Sequence, residues 1–218
     1  MDIKRTAHFL SVLKANNNKE WFEENRAEYN LLREQFYKLI DDIKFSSISF
    51  DKTFESYSSR KVAYRINRDI RFAKDKSPYK SEFGALFAAN KKEKENGYHF
   101  HINHEGQLFI GGGAYLPDKD QLGRIKRKII EDPETFEEII YNKEFDKVFG
   151  GLSTEFTYKR IPPEFSDNYE LTEYLKLKGF FAYRGFDLND YNSSNLAEFI
   201  SDKFRVLYPL VNYLKEIL

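Results

Sequence analysis

Apolar residues change their spacing twice along the chain, and that change limits the fold more than any other feature. Phe22, Tyr29, Leu32, Phe36, Leu39 and Ile43 step by threes and fours, the period of a helix with one buried face. Asn17 or Asn18 stands where a cap is needed, so the spacing predicts one long helix from Asn18 to Lys44. Phe9, Leu10 and Leu13 mark a shorter helix before it, and Asn16-Asn17-Asn18 supplies the turn between the two. From Tyr57 to Tyr115 the period falls to two: Val62, Tyr64 and Ile66 alternate with polar neighbours, and so do Tyr98, Phe100 and Ile102. Phe83 to Ala89 and Gln107 to Ile110 complete a set of short strands, with turn chemistry at Asn96-Gly97 and Glu105-Gly106. The expected result is an antiparallel meander of three or four strands.

Beyond Gly113 the helical period returns. Leu122, Ile125, Ile129 and Ile130 share a face behind a cap at Asp120, and Pro133 opens a further short helix. Phe156-Thr157-Tyr158 and Phe180 to Tyr183 read as two later strands. The tail from Ser194 carries Leu196, Phe199, Ile200, Phe204, Leu207, Val211 and Leu214 in a helical stripe that Pro209 must kink or divide. Helices, then strands, then helices around two isolated strands, without strict alternation, predict an α+β fold. The sheet is mostly antiparallel, a meander plus two later strands, packed with N-terminal, middle and C-terminal helices.

The 218 residues suit one domain, 1–218, and the 21 phenylalanines and 15 tyrosines are enough to dominate its core. No cysteine is present, which excludes disulfides, thiolate metal sites and a cysteine nucleophile. The N-terminal segment lacks the apolar stretch of a secretory leader and no apolar run approaches membrane-spanning length, so a cytoplasmic protein without a membrane partner is the expectation. Formal net charge is zero, from 35 basic and 35 acidic residues, so attraction to nucleic acid or an anionic surface needs a local patch.

Such a patch exists. Arg60, Lys61, Arg65, Arg68, Arg71, Lys74, Lys76 and Lys80 stand against Asp69 and Asp75 within 21 residues, a local excess of six positive charges. If a strand ran on from Lys61, Arg68 would share its buried face with Val62, Tyr64, Ile66, Ile70 and Phe72. A buried guanidinium requires a carboxylate partner, so either Arg68 has one or the strand bends near Asn67. On the other face Asp69 lies between Arg65 and Arg71 and could orient both as a clamp for carboxylate or phosphate. Lys74 and Lys76 follow, and Pro78 keeps Ser77 extended, which ends the cluster on a loop. The competing reading is a solvated charged loop whose ion pairs contribute less than about 1 kcal/mol each.

The run Arg65-Ile66-Asn67-Arg68-Asp69-Ile70-Arg71-Phe72-Ala73-Lys74-Asp75-Lys76-Ser77-Pro78-Tyr79-Lys80 resembles the signature of a bacterial family known as domain of unknown function 2461 (DUF2461). Asn17-Asn18-Lys19-Glu20-Trp21-Phe22, Gly111-Gly112-Gly113 and Leu175-Lys176-Leu177-Lys178 are similar to its other landmarks. The resemblance implies no activity. It implies that Arg65, Arg68, Asp69, Arg71, Phe72, Asp75, Lys76 and Tyr79 occupy the positions by which the family is recognised. Ile161-Pro162-Pro163-Glu164-Phe165 departs from the Pro-Lys-Gly-Phe-like turn expected there, which leaves a late basic contributor without support.

Other chemistry has thinner support. His99 and His101 share a strand face and could ligate a metal with His104 or a carboxylate as third ligand, against a plain pair of solvent-side histidines. Gly111-Gly112-Gly113 could present amides to an anion, against a turn or bulge that lets another segment pass. Lys76 and Tyr79 could form a cation-assisted phenol acid, against Tyr79 packing beneath the loop. Trp21 reads as a core anchor. No serine-hydrolase elbow, metalloprotease helix, kinase set or nucleotide fingerprint occurs, so familiar enzyme classes find no support, and whether the chain is an enzyme and which cofactor it takes stay open. Three readings remain. A small anionic ligand could be held by Arg65, Arg68, Asp69, Arg71, Lys74, Asp75, Lys76, Tyr79 and Lys80. The same basic residues could form a nucleic-acid module in which Phe72, Tyr79 or Tyr98 stacks on bases, or the charges could pair internally in an interaction protein.

Overall fold

The N-terminal third is largely helical because capping side chains start its first two helices and apolar stripes bury one face of its first and third. The computed structural model describes residues 1–88, 96–165, 171–188 and 195–218. Asp2 accepts from the Arg5 amide at 3.0 Å and starts α1 (Ile3–Ala15), which buries Ile3, Phe9, Leu10 and Leu13. Asn18 accepts from the Trp21 amide at 2.9 Å and starts α2 (Lys19–Glu24). The single helix expected from Asn18 to Lys44 is in fact two. Asn25 leaves the helical region at φ −103°, ψ 12°, its side chain donates to the Trp21 carbonyl at 2.8 Å, and α3 (Arg26–Ser47) begins after it. An asparagine amide that bonds back to the preceding turn competes with the helical ladder, and here it ends that ladder. A 3-10 turn (Lys52–Ser56) and α4 (Ser59–Val62) follow.

The sheet has four antiparallel strands in the order β1 (Glu82–Phe87), β2 (Asn96–Asn103), β3 (Gln107–Ala114), β4 (Phe180–Asp187), so the α+β expectation stands. The details correct the sequence in several places. Val62, Tyr64 and Ile66 form no strand: Val62 closes α4, and only isolated bridges at Ala63↔Ala85 and Asn67↔Tyr79 follow. Phe156 to Tyr158 contributes one bridge, Thr157↔Leu177, so a single later strand joins the meander. Asn96-Gly97 opens β2 and is no turn, whereas Glu105-Gly106 is one, with Gly106 at φ 75°. The expected strand from Phe83 ends at Phe87; Ala89 lies outside the described residues.

Gly111-Gly112-Gly113 lies inside β3, which resolves its role. A Cβ on Gly111 would stand 2.7 Å from the Ala182 carbonyl oxygen, and one on Gly113, at φ 114°, would stand 2.3 Å from that of Phe180. The glycines let β4 pass where a side chain would collide, so another segment does pass there, beside a strand and not at a turn. Beyond β3, Asp118 and not Asp120 caps α5 (Lys119–Glu131), in a reciprocal box with Gln121. Pro133 opens α6 (Pro133–Ile140) as expected, and α7 (Lys143–Phe149) and α8 (Thr172–Leu175) were not foreseen. The last helix, α9 (Leu196–Ile217), runs on through Pro209 without dividing; Ser194, where its stripe was expected to begin, is outside the described residues. No helix among the described residues is long and apolar enough to cross a membrane.

The chain clusters into two compact units. Met1–Phe87, His99–Ile110 and Gly185–Asp202 form the first; Ala88–Tyr98, Gly111–Arg184 and Lys203–Leu218 form the second. In the first, Phe36 of α3 meets Phe83 at 5.3 Å and Phe100 at 5.5 Å between ring centroids, which seats the helix on β1 and β2. Each such side chain contributes on the order of 2 kcal/mol when buried. In the second, Phe136 of α6 meets Phe180 of β4 at 6.2 Å and Tyr213 of α9 at 6.0 Å. Lys126 of α5 is 1% exposed and its Nζ has no hydrogen-bond partner among the described residues; it lies 4.9 Å from the Tyr158 ring centroid and 5.7 Å from that of Phe165. Burial pulls its pKa down to about 8.

Candidate functional site

The cationic stretch folds back on itself in the first unit. Tyr64 N donates to Gly84 O at 2.8 Å, Lys80 N to Ile66 O at 2.7 Å, and Arg68 N to Pro78 O at 2.9 Å. Between the Tyr64–Gly84 and Ile66–Lys80 pairs the outgoing strand holds Arg65 alone, while the returning strand holds Ser81, Glu82 and Phe83. That mismatch is a bulge, and a bulge re-aims side chains by unpairing them from the ladder. Here it turns Lys80, Ser81 and Glu82 into a cleft of about 290 Å³.

Lys14, Arg68 and Lys80 bring three cations to this cleft, and Asp75 and Glu82 bring two carboxylates. Asn17, Ser77, Tyr79 and Ser81 complete the lining. Lys80 Nζ sits 4.5 Å from the centroid of the Tyr64 ring, an attraction between ammonium and ring face. The ring itself lies against Gly84, whose Cβ would come within 2.8 Å of Tyr64 Cδ2. Burial, reinforced by the Glu82 carboxylate, pushes the Tyr64 phenol up to about 12.

Arg68 has the partner that burial required, and the chain also bends. Its Nη1 donates to Asp75 Oδ2 at 2.7 Å and to the Ser77 carbonyl at 3.0 Å. Asp75 Oδ1 accepts from the Ser77 amide at 2.9 Å and hydroxyl at 2.6 Å. Those Ser77 bonds, then Arg68, hold the Asp75 carboxyl well below the usual carboxylate range. The returning strand is fastened from the Asn16-Asn17-Asn18 turn: Asn17 Nδ2 donates to Tyr79 O at 2.8 Å and Tyr79 N donates to Asn17 Oδ1 at 3.0 Å. The Tyr79 ring, 7% exposed, stacks on Phe22 at 3.9 Å.

The remaining expected residues lie elsewhere on the loop. Asp69 holds Arg71 through Nε at 2.9 Å and Nη2 at 2.6 Å, and its carboxyl is lowered by that bonding. Arg65 is exposed and makes no hydrogen bond or ion pair with the described residues, so Asp69 orients one arginine and not two. Lys76 Nζ donates to the Ile70 carbonyl at 2.9 Å and closes the tip, while Tyr79 packs beneath the loop on Phe22. Lys74 is exposed, and Phe72 at the tip is 95% exposed. The structure therefore brings Arg68, Asp75, Tyr79 and Lys80 together in the cleft and leaves Arg65, Asp69, Arg71, Lys74 and Lys76 outside its lining. Lys14, Asn17, Ser77, Ser81 and Glu82 were not foreseen.

His99 and His101 share the half-buried face of β2, with ring centroids 5.1 Å apart. His99 faces Tyr64 at 5.7 Å and His101 stacks on Phe109 at 4.8 Å. Burial, then the charges of His101 and Lys80, pulls His99 down to about 3, and burial lowers His101 as well. Both imidazoles are neutral near pH 7. No group of three or more histidine, aspartate and glutamate side chains among the described residues could hold a metal ion.

Fold and cleft together define an α+β protein with a mixed-charge cleft built from an arginine-rich hairpin. The chain belongs to the DUF2461 family: the family model described as "Conserved hypothetical protein (DUF2461)" matches residues 5–213. Comparison with curated proteins and with solved structures gives no match.

Proposed function

We propose that the cleft beside Arg68 and Lys80 binds a small anionic ligand bearing a phosphate or carboxylate. The observation that carries this reading is the convergence of Lys14, Arg68 and Lys80 on one concave site of about 290 Å³ in a chain of zero net charge. Lys14 and Lys80 donate no hydrogen bond to any described residue, so each ammonium keeps its donors for a ligand. Arg68 is fixed in orientation by Asp75 and Ser77, which removes ordering cost on binding.

Thermal unfolding with orthophosphate, sulfate, small phosphate monoesters and small carboxylates tests the reading. A ligand at 100 times its Kd stabilises by about 2.7 kcal/mol, a rise of roughly 5–10 °C for a chain of this length. Lys80→Ala should keep the fold and weaken binding about tenfold or more, since bonds to charged groups contribute about 1.5–3 kcal/mol. Equal behaviour of parent and variant across the panel rejects the reading.

Exposed Phe72, flanked by Arg71 and Lys74, favours a second reading in which the hairpin tip stacks on single-stranded nucleic acid. Tyr79 and Tyr98 cannot share that role, at 7% and 1% exposure. Retention of labelled single strands at low salt that Phe72→Ala abolishes, with Lys80→Ala neutral, would favour this second reading over the first.

A further inference from the structure

The charges at the cleft are not equally available. Arg68 is held by Asp75 and Ser77 through Nη1 alone, and both oxygens of Asp75 are taken, Oδ1 by Ser77 and Oδ2 by Arg68. Three charged groups of the lining form no hydrogen bond or ion pair with the described residues, the ammonium groups of Lys14 and Lys80 and the carboxylate of Glu82, whose charge acts at longer range on His101. Glu82 is half-buried and forms no hydrogen bond or ion pair with any described residue. A partly desolvated carboxylate without a donor is unfavourable for the empty protein. Were the cleft built for a simple anion alone, Glu82 would also repel the ligand that Lys14 and Lys80 attract.

We infer that this cleft takes a zwitterionic ligand, an anionic phosphate or carboxylate joined by a short linker to an ammonium group, with Glu82 receiving the ammonium. The inference deepens the anion-binding reading and rests on it. Lys14 and Lys80 receive the anion, and Arg68 adds its remaining guanidinium donors. Glu82 then has the counter-charge that the protein withholds, and its repulsion of the anion becomes selectivity for the amine-bearing molecule over its deaminated analogue. Neutral His99 and His101 on the neighbouring strand add no positive charge that would oppose an ammonium there.

Matched ligand pairs that differ only in the amine test this by titration calorimetry at pH 7 and low salt. O-phosphoethanolamine against ethyl phosphate examines the phosphate class, and β-alanine against propionate the carboxylate class. The expected result is a tenfold or greater preference for the amine-bearing member of one pair, which also tells the two anion sources apart. Glu82→Gln should erase that preference by weakening the zwitterion and tightening the plain anion several-fold. If plain anions bind the parent protein with no preference for either amine, the inference is overturned and the anion site stands. If no member of either pair binds, the anion-binding reading fails and this one with it. A preference that survives in Glu82→Gln places the ammonium elsewhere and overturns the role of Glu82.

Discussion

At the scale of single residues, Asp75 decides whether the hairpin has a defined shape. One carboxylate receives the amide and hydroxyl of Ser77 on one oxygen and Arg68 on the other, so it fixes both the turn and the guanidinium at the cleft. Asp75→Ala should leave the overall fold intact and speed hydrogen exchange of the Ser77 amide by roughly tenfold, since that amide loses its acceptor. The pH dependence has a defined sign. The folded carboxyl titrates below its ordinary value of 3.8, so its stabilisation is present above that pH and is lost as the pH falls through the folded value. Exchange of the Ser77 amide should therefore stay slow down to pH 4; fast exchange at pH 7 in the parent would refute the bonding described.

At the scale of elements, legibility followed the range of the forces involved. α1, α6 and the stripe of α9 were readable because close apolar spacing, a proline at the first turn and a 3.6-residue period each act within a few residues. The break at Asn25 was not, because the same apolar period runs across it and only the side-chain bond to Trp21 O marks it. The strand expected at Val62 to Ile66 had the right alternation and no continuous ladder: pairing depends on a bulge in residues 81–83, far along the chain. The cleft was half legible for the same reason. Arg68, Asp75, Tyr79 and Lys80 stood out in a dense charged run, whereas Lys14 and Asn17 join them across 62 residues through the Asn17–Tyr79 clasp. Glycines 111–113 asked for a structural reason and found one in close strand passage. Gly113→Ala would combine a positive φ with a Cβ 2.3 Å from the Phe180 oxygen. A cost of about 3 kcal/mol or more follows, lowering Tm by roughly 6–12 °C in thermal unfolding or preventing soluble expression.

At the scale of the whole molecule, balance of charge hides local imbalance. A chain with 35 basic and 35 acidic residues still buries Lys126 without an ion pair among the described residues. Lys126 titrates near 8 in the folded protein against 10.5 for an unstrained lysine, so between those values the unfolded chain holds the extra proton and stability rises with pH. Below about 8 both states are protonated and the burial penalty is present in full. Lys126→Met, similar in volume and uncharged, should raise Tm at pH 7, by about 2–4 °C for each kcal/mol recovered, and the gain should shrink at pH 10. A gain of equal size at both pH values would show that the ammonium is not the cause.

The hairpin has one more effect, on how copies of this protein meet. β1 stands at the edge of the sheet, with β2 as its one neighbouring strand among the described residues. An unpaired strand rim is a template for another chain, and proteins guard such rims with short irregular cover and positive charge. Ala63 and Tyr64 touch that rim, at Ala63↔Ala85 and through the Tyr64 amide, too sparsely to extend the ladder, while Ile66 to Arg68 pair with Pro78 to Lys80 before the strand begins. Irregular cover of that kind is one way an edge strand is kept from templating another chain in crowded surroundings, whatever the neighbouring cleft holds.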